Sequence, residues 1–181
     1  GSSFVSQRTA TLFGLTVGII GICERYGLKD KAVDFIKKLS KLTTGGLLSV
    51  WLVIRTLSAA FSLRLGGHVQ FIRPIILPMA EGAAYVKFGE IDEKGEDEIK
   101  GAAAATENYG NFYGQNCFMG ASGTLLIVST LVAQGYEVDA LQIAMASWPI
   151  AIVSMVVGIV MNFFVDRRLV ARYAKKSPAA K

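Results

Sequence analysis

Charge, cysteine, histidine and proline are all scarce in this sequence, and each scarcity removes a class of explanation. Charged residues make up 18% of the 181 positions, against about 25% in soluble domains. The two cysteines, Cys23 and Cys117, sit in apolar surroundings with no histidine or further cysteine at ligand spacing. That excludes a disulfide scaffold and a zinc site and leaves two inert, buried thiols. No phosphate-binding lysine loop, dinucleotide fingerprint, nucleophile elbow or zinc-protease motif occurs. No nucleophile stands paired with a base, so the chain is not expected to be an enzyme. Gly1–Arg8 lacks the apolar stretch of a cleavable signal peptide.

What is abundant is apolar sequence: 52% of residues are hydrophobic and the mean hydropathy is +0.43. The few charges are bunched, leaving stretches that match the roughly 17–25 apolar residues of a bilayer span. The net charge of +5 would suggest nucleic acid only as an exposed patch with a recognition motif, and neither is present. Instead, five lysines fall in Lys29–Leu42 and six basic residues follow Asp166, both beside hydrophobic runs, as cytoplasmic flanks do.

Read along the chain, Ala10–Cys23 with Phe4–Thr9 before it makes a first span, and Gly14 and Gly18 form a small-xxx-small pair. In Lys29–Leu42 the apolar Ala32, Val33, Ile36 and Leu39 recur at helical spacing opposite lysines. This predicts an interfacial helix on an anionic leaflet, although a soluble amphipathic helix has the same pattern. Thr44–Leu63 and Val69–Val86 are either two spans or one re-entrant hairpin, the second broken by Pro74 and Pro78. Lys87–Lys100 reads as a polar loop. Gly101–Gly135 reads as a half-helix, a break at Gly120–Gly123, and a second helix over Thr124–Ala133. Leu141–Val165 is 25 residues without a charge, the clearest span, and Asp166–Lys181 is a basic tail. The expected architecture is an all-α polytopic membrane protein with broken or re-entrant helices, one half of an inverted-repeat transporter assembly. Residues 1–170 form the membrane domain, including the interfacial helix 29–42 and the polar loop 87–100. Residues 171–181 form a cytoplasmic tail.

Chemistry is expected where polar groups interrupt apolar runs. Arg55, Arg64, His68, Arg73, Glu81 and Glu107 do so, and each charge near a bilayer centre costs roughly 2.5–3.5 kcal/mol on insertion scales. They must pair, snorkel or face water. On one helix, Glu107, Asn111 and Gln115 make a stripe with Asn108 and Asn116 beside it, flanked by Tyr109, Phe112 and Tyr113, while Gly110 and Gly114 thin the opposite side. Amides can donate to a carboxylate and coordinate a cation, so the stripe is either ligand-lining or interhelical hydrogen-bond glue. Ser122, Gly123 and Thr124 open a helix whose free N–H groups and dipole suit an anion. Arg64 or Arg73 would be a charge partner, Glu81 and Glu107 coupling carboxylates, and His68 either a proton-responsive gate or a satisfied interfacial histidine. No cofactor is expected beyond Na⁺ or H⁺ as coupling ion.

Four stretches carry a resemblance: ERYGLKDKA (Glu24–Ala32), LRLGGHVQFIRPIILPMAEGAA (Leu63–Ala84), ENYGNFYGQN (Glu107–Asn116) and GYEVDALQIA (Gly135–Ala144). They resemble a bacterial membrane-protein family once classed as a domain of unknown function. That family is described as the smaller subunit of a two-part 5-oxoproline transporter related to the ion-transporter superfamily. The resemblance covers nearly all of Ser3–Arg168. It implies a secondary permease of the cytoplasmic membrane, working with a larger membrane subunit on a small carboxylate; the alternative is a non-transporting accessory subunit that stabilises that larger permease partner. It also implies further hydrophobic sequence ahead of Ser3.

Overall fold

The computed structural model describes residues 42–63 and 65–174. The first predicted span, nearly all of Lys29–Leu42, Arg64 and the end of the basic tail lie outside the described residues. Within them the chain is helical, with no strand.

Helix α1 (Thr44–Ala60) starts at Thr43, whose side chain accepts the Gly46 N–H. Asp166 of the last helix is a second anchor: its carboxylate accepts the Gly45 N–H at 2.8 Å and the Thr43 hydroxyl at 2.6 Å. Together these satisfy donors that a helix N-terminus leaves free. At the other end the Ser62 and Leu63 N–H groups return to the Ala59 and Ser58 carbonyls, a Schellman arrangement. Its left-handed position is held by Ser62 at φ 58°, where glycine is usual. The equivalent turn after Ala133 uses Gly135 at φ 89°.

A π-helical segment, His68–Ile76, contains Pro74 and runs directly into α2 (Leu77–Phe88), with Pro78 in the first turn of α2. The prolines therefore do not break this stretch. The wider π ladder absorbs Pro74, and Pro78 sits where an N–H is dispensable.

Helix α3 (Glu93–Gln115) corrects the predicted polar loop at 87–100, because only residues 89–92 separate it from α2. Asp92 caps it by accepting the Gly95 N–H at 2.9 Å, Glu93 and Glu96 complement the dipole in its first turn, and Lys100 pairs with Glu96 four residues back. The acids that look like loop sequence are a helix start.

After a break over 116–121 comes α4 (Ser122–Ala133), two residues earlier than its sequence pattern suggests. Helix α5 (Ala140–Tyr173) opens with a capping box between Asp139 and Gln142. It continues eight residues past Val165, so the predicted tail is helical through Tyr173. The reason is anchoring: Arg168 and Arg172 both meet Glu98 at 3.4 Å, and the Tyr173 hydroxyl donates to Asp92.

Helices α1, α3 and α5 pack together, with the π segment and α2 against α1 and α3, and α4 chiefly against α5. The core gathers Leu47, Leu48, Trp51, Phe71, Ile76, Ile99 and Leu169, and Trp51 stacks on Phe71 with ring centroids 5.3 Å apart. Helix α5 buries one narrow stripe (Ala144, Ala151, Gly158, Asn162, Val165) and exposes Ile152, Val153, Val156, Val157, Val160 and Phe164. Among the described residues it is the one helix both long and apolar enough to cross a membrane, and only 17% of its most apolar window is buried. At 34 residues it is about 51 Å long. Helices α1 and α4 are apolar but shorter.

Candidate functional site

The seam between α1 and α3 holds a buried ion pair. Arg55 Nε lies 2.6 Å from Glu107 Oε1, with the two side chains only 9% and 3% exposed. Trp51 Nε1 donates to the other carboxylate oxygen at 3.2 Å, and Arg55 Nη2 donates to Asn111 Oδ1 at 2.6 Å. Both oxygens of Glu107 therefore face N–H donors, as a buried carboxylate requires.

Close helix approach makes this possible. A Cβ on Gly110 would stand 2.9 Å from Arg55 Cβ and Cγ, and one on Gly114 would stand 2.8 Å from Ala59 Cβ and closer still to the Thr56 carbonyl. Gly110 and Gly114, four apart, form a small-xxx-small face against α1. They lie on the same side of α3 as Glu107 and Asn111, not opposite it.

Beside the pair opens a cavity of about 390 Å³ lined by Arg55, Ser62, Gly66, Gly67, Asn111, Gln115, Phe118 and Ser122, with Ala59, Leu63 and Ala121. Its size falls within the range of small-molecule pockets. Arg55 bonds to protein through Nε and Nη2, which leaves Nη1 without a partner among the described residues. The cavity wall thus combines one guanidinium, two amides, a glycine pair, and the first turn of α4. Ala121 precedes that turn without a side-chain cap bond.

The residues singled out from the sequence divide accordingly. Asn111, Gln115 and Ser122 meet on the cavity, and Glu107 stands behind its wall. Asn108 is turned away, with its Oδ1 3.0 Å from His68 Nε2. The Asn116 amide donates to its own helix at the Phe112 carbonyl. Thr124 is buried and Gly123 is exposed, neither lining the cavity. Arg73 is exposed and makes no ion pair among the described residues, and Arg64 lies outside them. Glu81 does not line the cavity: it sits half-buried on α2, within electrostatic reach of Glu96 and Lys100. Trp51 is the member of this network that the sequence does not single out, and Arg55, singled out as a charge in an apolar run, receives there no partner or role. No group of three or more histidine, cysteine or acidic residues suited to a metal occurs among the described residues.

The family described as "Protein of unknown function (DUF969)" matches residues 1–170. The chain belongs to the DUF969 family. Its description assigns no activity, and no curated protein or solved structure matches the chain. For a member of this family, the site must therefore be read from its own geometry.

Proposed function

We propose that this chain is a multi-pass subunit of a secondary transporter in the bacterial cytoplasmic membrane, carrying a small carboxylate, with 5-oxoproline the first candidate, coupled to Na⁺ or H⁺. The observation that carries the reading is the convergence of Arg55, Asn111, Gln115 and the start of α4 on one cavity. A guanidinium binds carboxylates through a preformed fork, and side-chain amides suit a lactam, which offers one N–H and one C=O. A helix start adds a partial positive charge. A polar cavity among helices whose outer faces are apolar is the pattern of a membrane carrier site. The 5-oxoproline assignment and the larger partner subunit come from the sequence resemblance.

The test is reconstitution of the full-length protein with its larger partner in liposomes, following labelled 5-oxoproline under imposed Na⁺ or proton gradients. Uptake that needs both subunits and collapses in Asn111→Ala supports the proposal. Full-rate uptake by the partner alone would make this chain an accessory subunit. Silence from well-folded complex under every gradient would remove 5-oxoproline as substrate.

A further inference from the structure

The buried pair and the cavity share a single cation, and this has a consequence for coupling. Arg55 is bound by Glu107 through Nε and by Asn111 through Nη2, and it also lines the cavity. A bound carboxylate would place a second anion on a guanidinium already neutralised by a buried one. The neighbours of Glu107 offer no further positive charge. From α1 it faces Arg55 and the neutral Trp51. From the turn before the π segment it faces Gly67, while His68 is engaged with Asn108. On α3 its neighbour Thr106 is bonded to the neutral Asn162 of α5 at 3.3 Å. With a substrate anion present, the site would hold two negative groups against one positive group.

We propose that Glu107 is the proton-coupling group of the carrier, taking up one proton for each carboxylate that binds Arg55. The charge balances: Arg55 passes from Glu107 to the incoming carboxylate as counter-ion, and Glu107 becomes a neutral acid. That acid still accepts the Trp51 N–H on its other oxygen. The same surroundings disfavour a metal cation as the compensating charge. Both Glu107 oxygens are faced by N–H donors, whereas a Na⁺ ion needs converging oxygen acceptors. Glu81 has no part in this exchange, because it does not line the cavity. The inference rests on the carboxylate-carrier reading and selects the proton from its two candidate ions.

The experiment is calorimetric titration of the complete two-subunit complex in nanodiscs with 5-oxoproline, in two buffers of different ionisation enthalpy, from pH 5.5 to 8.5. Wild type should take up close to one proton per anion, and its affinity should weaken by up to about tenfold per pH unit on the alkaline side. It should be unchanged when Na⁺ replaces choline. In Glu107→Gln, which mimics the protonated acid, uptake of protons should vanish and affinity should become flat with pH. The wild-type proton count needs no substitution, so a Glu107→Gln variant that fails to fold does not spare the proposal. Binding without proton uptake, or with a Na⁺ requirement, overturns it and leaves the carrier reading standing. Absence of binding by wild type at every pH overturns both.

Discussion

The α1–α3 seam and the outer face of α5 are built on opposite rules. The seam is interior, yet holds a guanidinium, a carboxylate, an indole N–H and an amide in one bonded network, closed by glycines. The α5 face is exterior, yet Ile152, Val153, Val156, Val157, Val160 and Phe164 leave it almost without polar atoms. Water-soluble domains put these compositions the other way round. The outer face of α5 suits lipid or an apolar partner, whereas the seam satisfies its own polar groups internally.

That contrast can be broken most severely at the ion pair. Arg55→Met leaves Glu107 buried and unpaired and should destabilise by about 3–5 kcal/mol, measured as a loss of unfolding midpoint in detergent. The double variant Arg55→Met/Glu107→Leu should recover most of that stability while abolishing carboxylate binding, because a buried pair replaced by apolar groups is often neutral. On the outer face, Val157→Arg should cost about 2.5–3.5 kcal/mol in bilayer insertion and little in a detergent-solubilised fold, which comparison of insertion assays with melting would reveal. Gly110→Ala pushes a methyl group into Arg55 and should cost about 1–3 kcal/mol by overpacking, with weakened ligand binding as the helices separate.

The smallest effect lies at the polar corner, outside the apolar segments. Hydrogen bonds from the Tyr85 hydroxyl, at 2.5 Å, and from Lys100 hold the Glu96 carboxyl below its usual range. A depressed folded-state value means the contribution is present above the ordinary carboxylate range and is lost as pH falls through the folded value. Tyr85→Phe should therefore lower the unfolding midpoint slightly at pH 6, and the difference from wild type should shrink as the pH is taken down through the acid range.

Much of this pattern is readable in the sequence because polar residues in apolar runs are conspicuous. The Glu107–Gln115 stripe, the interruption near Gly120 and the long α5 all announce themselves that way. Pairing does not: Arg55 and Glu107 are separated by more than fifty positions, and nothing local says which acid an arginine will meet. The π segment is equally silent, since a proline signals a break unless the ladder can widen around it. The acidic stretch at 93–100 misleads for a different reason. Charge density is shared by loops and by capped helix starts, and only Asp92 at the cap and Lys100 four residues beyond Glu96 tell them apart.

The far end of α5 carries a mechanical implication. Asp166, Arg168, Arg172 and Tyr173 rivet its last turns to the starts of α1 and α3, while the same helix also packs against α4 and carries Pro149 in its N-terminal half, where one backbone N–H is missing from the ladder. A helix pinned at one end and missing a ladder bond near the other is weakest against bending at the proline. Bending there would shift α4, whose first residue, Ser122, lines the cavity.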